Sequence, residues 1–487
     1  MNRNFTWYSI IIIIMILYYF RSQIEQLDMK SPIANKHPHK TFIHGQERVD
    51  NYHWIRLSDE QKSAKNSEGW PDDQTMQVVN YINKENDYTS NKLKHTEKLQ
   101  KKLYSEIVGR IKKDDSSVPY FDNGYWYYTR YEKGQEYPIY CRKKELLENM
   151  EELLIDVNQW AEGHDYFSLR SLSVSPNNKL LAFSVDTLSR RIYTIKVKNL
   201  ETGELLGDEI NGTEGSVAWA NDNLTFFYTL KNKTTLLSEN IARHKLGTPQ
   251  SADVTVFNEN DDSFYIGVYR SKSDKYIIIY NNSTLVSDYH ILNADNPREK
   301  FQQFSPREKE HEYSIEHFKD KFYIVTNWNA MNFRLMETSE KATAKQDWKE
   351  VISHRKDVFL NDIDVFSNYL VISERKDGLP QIRIINQNNG KEHYLDFGEE
   401  VYSAYTSINL SFDTNLLRYQ FSSLITPPST YDYNMDSRKS KLLKQSEVVG
   451  GYDPDKYQSE RLYVTVRDGK RVPISIVYKK GMKRNGK

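Results

Sequence analysis

The chain has 487 residues, in which 67 lysines and arginines balance 67 aspartates and glutamates. That balance leaves no basic excess for a nucleic-acid partner, and the single cysteine, Cys141, excludes an internal disulfide framework and any Cys-x-x-Cys metal or redox motif. The length exceeds one ordinary core, and 35 tyrosines suit a fold of many strands whose side chains keep one polar end wet.

The first element is an apolar run of 16 residues, 5–20, with Arg3 ahead of it and Arg21 immediately behind. A spanning helix takes about 20 apolar residues and a signal-peptide apolar region about 7 to 15, so the run is an uncleaved signal anchor or an inefficiently cleaved signal peptide. Five consecutive isoleucines leave it no polar face. Residues 1–22 are therefore expected to be a signal peptide or membrane anchor, with the body membrane-anchored or periplasmic/secreted. The flanking arginines nearly balance and set no orientation.

After the loop SPIANKHPHK, the stretch 75–111 is rich in Lys, Glu, Gln and Asn and carries Leu99, Leu103 and Ile107 at helical spacing, so it reads as one or two surface helices. His37 and His39 form a His-x-His, but no third ligand lies in sequence reach, and a surface loop is preferred to a metal site.

From residue 111 onward a short polar turn followed by alternating aromatic and aliphatic residues recurs seven times. The copies include FDNGYWYYTRYEKG from Phe121, PNNKLLAFSVD from Pro176 and SNYLVISERKDG from Ser367. The turn residues Asp122, Asn177, Asn221, Asp274, Asp320, Asn368 and Asp413 are spaced by 55, 44, 53, 46, 48 and 45 residues. A four-stranded antiparallel blade takes about 40 to 50 residues and needs neighbours to cover both its faces. The expectation is a mainly β chain with a seven-bladed β-propeller over 111–445, closed so that no long sheet edge is left open. Asn-Gly, Asn-Asn and Asp-Asn turns tolerate positive φ.

The flanks carry longer strings. DNYHWIRL from Asp50, KKDDSSVPYFDNGYWYYTRYEKGQEYPIYCR from Lys112, NFRLMET from Asn332, DVFLNDIDVFSNYLVISERKDGLPQIRI from Asp357 and YQSERLYVTVRDGKRVPISIVYKKG from Tyr457 resemble, collinearly, the oligopeptidase B group of the prolyl oligopeptidase family of serine peptidases. The resemblance implies an α/β-hydrolase capped by a propeller, cleavage of short peptides after Arg or Lys, and no metal or organic cofactor. It also implies that 37–110 is an N-terminal extension of the peptidase domain. Residues 446–487 would be the truncated start of the hydrolase, containing only its first hairpin with the turn at Arg467 to Lys470.

Peptide hydrolysis of this type needs a serine on a strained elbow, a histidine and a carboxylate, in the order Ser, Asp, His. Gly-x-Ser-x-Gly does not occur in the 487 residues, so no catalytic, substrate-binding or metal-ligating residue is assigned. His164 and Asp165, if on a strand, point to opposite faces and are taken as structural. Cys141 reads as a small strand residue. Asp362 and Asp364 share a strand face and could form a carboxylate pair or meet a basic peptide in the propeller tunnel, although ordinary solvated or salt-bridged aspartates are preferred. Asn211, Asn223, Asn232 and Asn409 stand in Asn-x-Ser/Thr sites, relevant only in a secretory eukaryotic host.

Two functions follow. One is the gating propeller of an oligopeptidase-B-like peptidase, with short basic peptides as substrate and its own hydrolase domain as partner, the triad being absent from these residues. The other is a noncatalytic, membrane-tethered propeller that binds peptides or a partner protein.

Overall fold

The computed structural model describes residues 29–63, 69–70, 72–483 and 485–486. The chain divides into two compact units, 1–111 and 112–487.

In the first unit a short hairpin pairs His39–Ile43 with Gln46–Asp50, and two helices follow, Asp73–Leu93 and Glu97–Gly109. The Asp72 carboxylate caps the longer helix by accepting the Thr75 N–H at 2.8 Å, which satisfies one of the donors a helix start leaves unpaired. Leu99, Leu103 and Ile107, the residues whose spacing marks the second helix, are all exposed.

The second unit is antiparallel β throughout the family of sheets that follows. Five separate four-stranded sheets are present among the described residues, built from consecutive strands within 120–156, 265–303, 313–352, 358–394 and 402–445. Between the first and second of these lies one continuous seven-stranded sheet, running in order from Ser168–Val174 to Val254–Asn258. The expectation of seven blades is therefore corrected: the structure has five four-stranded blades, and the strands between 168 and 258 are not divided into separate blades.

The physical cause is the strand Leu205–Trp219, 15 residues long. Its first half pairs with Tyr193–Asn199 and its second with Thr225–Lys231, and Thr213 is partnered in both ladders. Register shifts at Leu205/Glu209, Ile210/Thr213 and Thr213/Val217 bend the strand where a loop would otherwise break it. Gly215 sits at the bend with φ +106°, and a Cβ there would lie 2.8 Å from Ser184 Oγ and 2.9 Å from Arg170 Cδ.

Apolar clusters fill the junctions between successive sheets. Phe183 and Leu181 pack on Ile155, Phe227 on Ile266 and Ile277, Phe304 on Phe322 and Trp348, Leu335 on Leu360 and Ile372, and Ile384 on Leu417 and Tyr433. The seven-stranded sheet folds over a cluster of its own, with Trp219, Phe226 and Ile195 fully enclosed. The junction between the first and last sheets is instead held by polar contacts: Arg418 donates to the Pro119 carbonyl at 2.6 Å, and Lys444 pairs with Asp115 at 2.7 Å. After the last sheet, Tyr457–Thr465 and Arg471–Lys479 form a hairpin anchored by Arg461, whose guanidinium donates to the Asp377 carbonyl. Leu462, Val464, Ile474 and Val477 on it are exposed.

The expected membrane attachment finds no support among the described residues. Among the described residues no helix is long and apolar enough to cross a membrane, and the apolar run 5–20 lies outside the described residues.

Candidate functional site: an axial channel with acidic walls

Residues at or beside the first strands of several four-stranded sheets meet residues of sheets that are not their neighbours, which sets these strands around a common axis. Lys272, in the turn after Tyr265–Arg270, donates to the carbonyl of Val365 at 2.8 Å, although the 313–352 sheet stands between them in chain order. Its ammonium lies 4.6 Å from the Phe366 ring centre and 4.7 Å from that of Phe412. Phe412 in turn lies 4.9 Å from Phe318, two sheets away.

The repeat turns form a belt around one end of this axis. Asn123 Nδ2 donates to the Pro176 carbonyl at 2.8 Å, the Asn177 N–H to Asn223 Oδ1 at 2.8 Å, and Arg270 Nη2 to Asn221 Oδ1 at 2.5 Å. Asn123, Asn178, Asn223 and Asp274 all have positive φ, between 42° and 63°. The short polar turns visible in the sequence thus serve two purposes, reversing the chain and tying neighbouring strand pairs together.

Asp362 and Asp364 stand on Val358–Val365 and Glu316 on Tyr313–Phe318, each the first strand of its sheet. Asp362 is exposed and Asp364 half-buried, and the loss of hydration to the protein around them raises both aspartates above the ordinary carboxylate range. Burial raises the Glu316 carboxyl to about 7, with the positive charge of Lys272 opposing the rise and the negative charges of Asp362 and Asp364 adding to it. Burial lowers Lys272, and Asp364 and Glu316 counter that. Burial holds the Tyr269 hydroxyl well above its ordinary value, and Tyr289, Glu316 and Asp362 add to the effect. Tyr269, Tyr280, Tyr289 and Asn282 line a cavity of about 530 Å³. Arg270, which also borders it, borders a second cavity of about 500 Å³ with Tyr120, Tyr127 and Tyr140.

The remaining residues singled out in the sequence do not gather. His39 stacks on His53 at 3.9 Å and His37 lies beside Trp54; no metal-holding group of three or more His, Cys, Asp or Glu is present among the described residues. His164 and Asp165 lie in the loop before Ser168–Val174 and not on a strand, so the opposite-face argument does not apply to them, and both are exposed. Cys141 is buried on its strand, its thiol pushed up to about 11 by burial and then by Glu151. Among the sequon asparagines, Asn409 is engaged by Arg418 and Ser407, and Asn232 by Glu239. Asp362 and Asp364 were identifiable as a pair, whereas Glu316 and Lys272 were missed. Comparison of the repeats would have found one of them: Glu316 stands four residues before Asp320, as Asp364 stands four before Asn368.

Residues 32–446 match the family model described as "Prolyl oligopeptidase, N-terminal beta-propeller domain". The chain belongs to the prolyl oligopeptidase family. Within that family it is 38% identical to dipeptidyl aminopeptidase BI of Pseudoxanthomonas mexicana, over 94% of this chain and 63% of the relative. It is 30% identical to protease 2 of Moraxella lacunata, over 94% of this chain and 64% of the relative. Among solved structures, oligopeptidase B from Leishmania major superposes with a TM-score of 0.82 at 29% identity, covering 94% of this chain and 66% of that one. The chain thus spans less than two thirds of the length of these relatives.

Proposed function

We propose that this chain supplies the gating propeller of an oligopeptidase-B-like serine endopeptidase that cleaves short peptides after Arg or Lys. The observation that carries this reading is the axial channel, walled by Glu316, Asp362 and Asp364, in a chain whose family shares the propeller. A ring of sheets around a narrow polar passage admits an extended peptide and turns away a folded protein. The reaction is acyl transfer to a serine and then to water. No residue of this sequence is assigned to that chemistry. The propeller's part is to limit which substrates reach it.

The test is a chimaera in which residues 32–446 replace the matching segment of an intact oligopeptidase B. Hydrolysis of short arginyl peptides with folded proteins left uncut is the expected result. A folded chimaera that degrades folded proteins as fast as peptides would sink the proposal.

A second reading of specificity is favoured by the name of the 38% identical relative, a dipeptidyl aminopeptidase: release of dipeptides from free amino termini. Acetylating the substrate's amino terminus separates the two, since only the dipeptidyl aminopeptidase reading loses activity.

A further inference from the structure

Ser273, His317 and Glu340 stand in line across the junction of the 265–303 and 313–352 sheets. Ser273 Oγ lies 2.7 Å from His317 Nδ1, and His317 Nε2 lies 3.3 Å from Glu340 Oε2. The hydrogens of this chain follow from its two ends. Glu340 also receives the Lys275 ammonium, which holds its carboxyl below the ordinary carboxylate range, so it only accepts and the imidazole must present Nε2–H to it. Nδ1 is then a bare acceptor for the Ser273 hydroxyl. At the other end, Ser271 Oγ accepts the Tyr276 N–H at 3.0 Å and donates its own hydrogen to Ser273 Oγ at 2.9 Å.

Other repeats do without this arrangement. The residue three before the turn position is Val174, Ala218 or Val365 in three of them, where this repeat has His317. His317 is 1% exposed, with the rings of Tyr276 and Phe322 packed against it at 4.8 Å and 4.9 Å. Ser273 keeps part of its surface in solvent, while the imidazole behind it does not. A hydroxyl, a neutral imidazole and an orienting carboxylate in this order are the parts that make a serine a nucleophile. The N–H after that serine, which an esterase would turn toward an oxyanion, belongs to Asp274 and is given to the Ser271 carbonyl at 2.9 Å. The electrophile must therefore bring its own activation, in the form of a good leaving group.

We propose that Ser273 is an acylation site, with His317 as its general base and Glu340 as the residue that positions that base. The donor is a small activated acyl group, of the chemical class of thioesters, acyl phosphates and aryl esters. Ser273 Oγ attacks the acyl carbon, and the Oγ–C bond forms as the bond to the leaving group breaks. The hydroxyl proton passes to His317 Nδ1 and from there to the leaving group. The site is independent of the gating function and of the peptidase chemistry proposed above.

The 487-residue chain is incubated with p-nitrophenyl acetate at neutral pH, and the acetylated residues are mapped by mass spectrometry. Ser273 is expected to react at least about tenfold faster than the exposed Ser189 and Ser437. His317→Gln should slow Ser273 by about 100-fold or more, and Glu340→Gln by a smaller factor, while acetylation of surface lysines stays unchanged. Thermal melts establish that each variant is folded. Reaction at Ser273 no faster than at Ser189 and Ser437, or at the original rate in folded His317→Gln, overturns the site. An unchanged rate in folded Glu340→Gln removes the positioning role. The unaltered protein gives a readout that does not depend on any variant folding. Burial holds His317 below its ordinary 6.5, with Lys275 adding to that and Glu340 and Asp320 opposing it. The rate at Ser273 should be level above pH 6.5 and fall as His317 takes up its proton below that. A rate that climbs steadily with pH, as direct ionisation of the hydroxyl would give, contradicts the assignment of the base.

Discussion

Lys444 and Asp115, 329 residues apart in sequence, form an ion pair at 2.7 Å across the junction of the first and last sheets. Lys444 also donates to the Ser116 carbonyl, and Lys112 and Glu447 face each other at 3.4 Å nearby. The other junctions bury apolar clusters, so this one depends on contacts that water and salt can weaken.

Opening at this junction is therefore expected to be the easiest opening of the ring. Raising the salt concentration should speed amide exchange in Tyr120–Asp122 and Leu416–Ser423 well before it affects Ile277 or Phe322. Lys444→Ala should reproduce the effect at low salt, at a cost to global stability of about 1 kcal/mol or less because the pair is partly exposed. Uniform exchange across all the sheets would contradict it.

The seven-stranded sheet contains a different kind of polar contact. His244, fully buried, has Nδ1 at 2.7 Å from Asp253 Oδ1 and Nε2 at 3.0 Å from Asp208 Oδ1. The Tyr228 hydroxyl and the Gly247 N–H complete the donors to these carboxylates, at 2.8 Å and 2.6 Å. His244→Leu leaves two buried carboxylates without the imidazole between them. The expected loss is about 3 kcal/mol or more, read from the urea midpoint. Asp208→Asn combined with Asp253→Asn in the leucine background should recover part of it.

How far the sequence reveals this structure depends on how local the determinant is. The turns at Asn123, Asn178 and Asp274 are legible because positive φ is a property of one or two residues. The helix carrying Leu99, Leu103 and Ile107 is legible from its period. The union of the strands between 168 and 258 is not, since it depends on how Thr213 pairs on both sides at once and on the space around Gly215. Asp362 and Asp364 can be paired from alternation along one strand. Glu316, Lys272 and Tyr269 join them only because the sheets converge on an axis, which no single segment records.

Glu316 gives the channel a pH dependence. Its folded value, about 7, lies above the 4.5 of the unconstrained side chain, so the folded state binds the proton more tightly than the unfolded state does. The stabilisation from that proton is complete below pH 4.5 and is lost as pH rises through about 7. Glu316→Gln, which mimics the protonated form, should flatten this part of the stability profile. At pH 8 it should stabilise the protein by on the order of 2 kcal/mol, after allowance for water in the channel. A parallel pH profile for the variant would contradict this assignment.

Gly215 is expected to be the least replaceable residue in the seven-stranded sheet. Its φ of +106° is one that side-chain-bearing residues rarely adopt, and the atoms a Cβ would meet include Tyr193 Cγ at 3.2 Å as well as Ser184 Oγ at 2.8 Å. Neither neighbour is free to retreat: Ser184 is fully buried and Tyr193 nearly so, and Thr213 Oγ1 donates to the Tyr193 carbonyl at 2.8 Å. Backbone strain and overpacking each cost about 1–3 kcal/mol, so Gly215→Ala should destabilise by about 2 kcal/mol or more. Gly212→Ala provides the contrast. That residue also has a positive φ, +75°, but nothing lies within 4 Å of its Cβ position, so only the backbone term applies. Thermal melts of the two variants should rank Gly215→Ala below Gly212→Ala, and the reverse order would remove close packing as the reason the strand bends at Gly215.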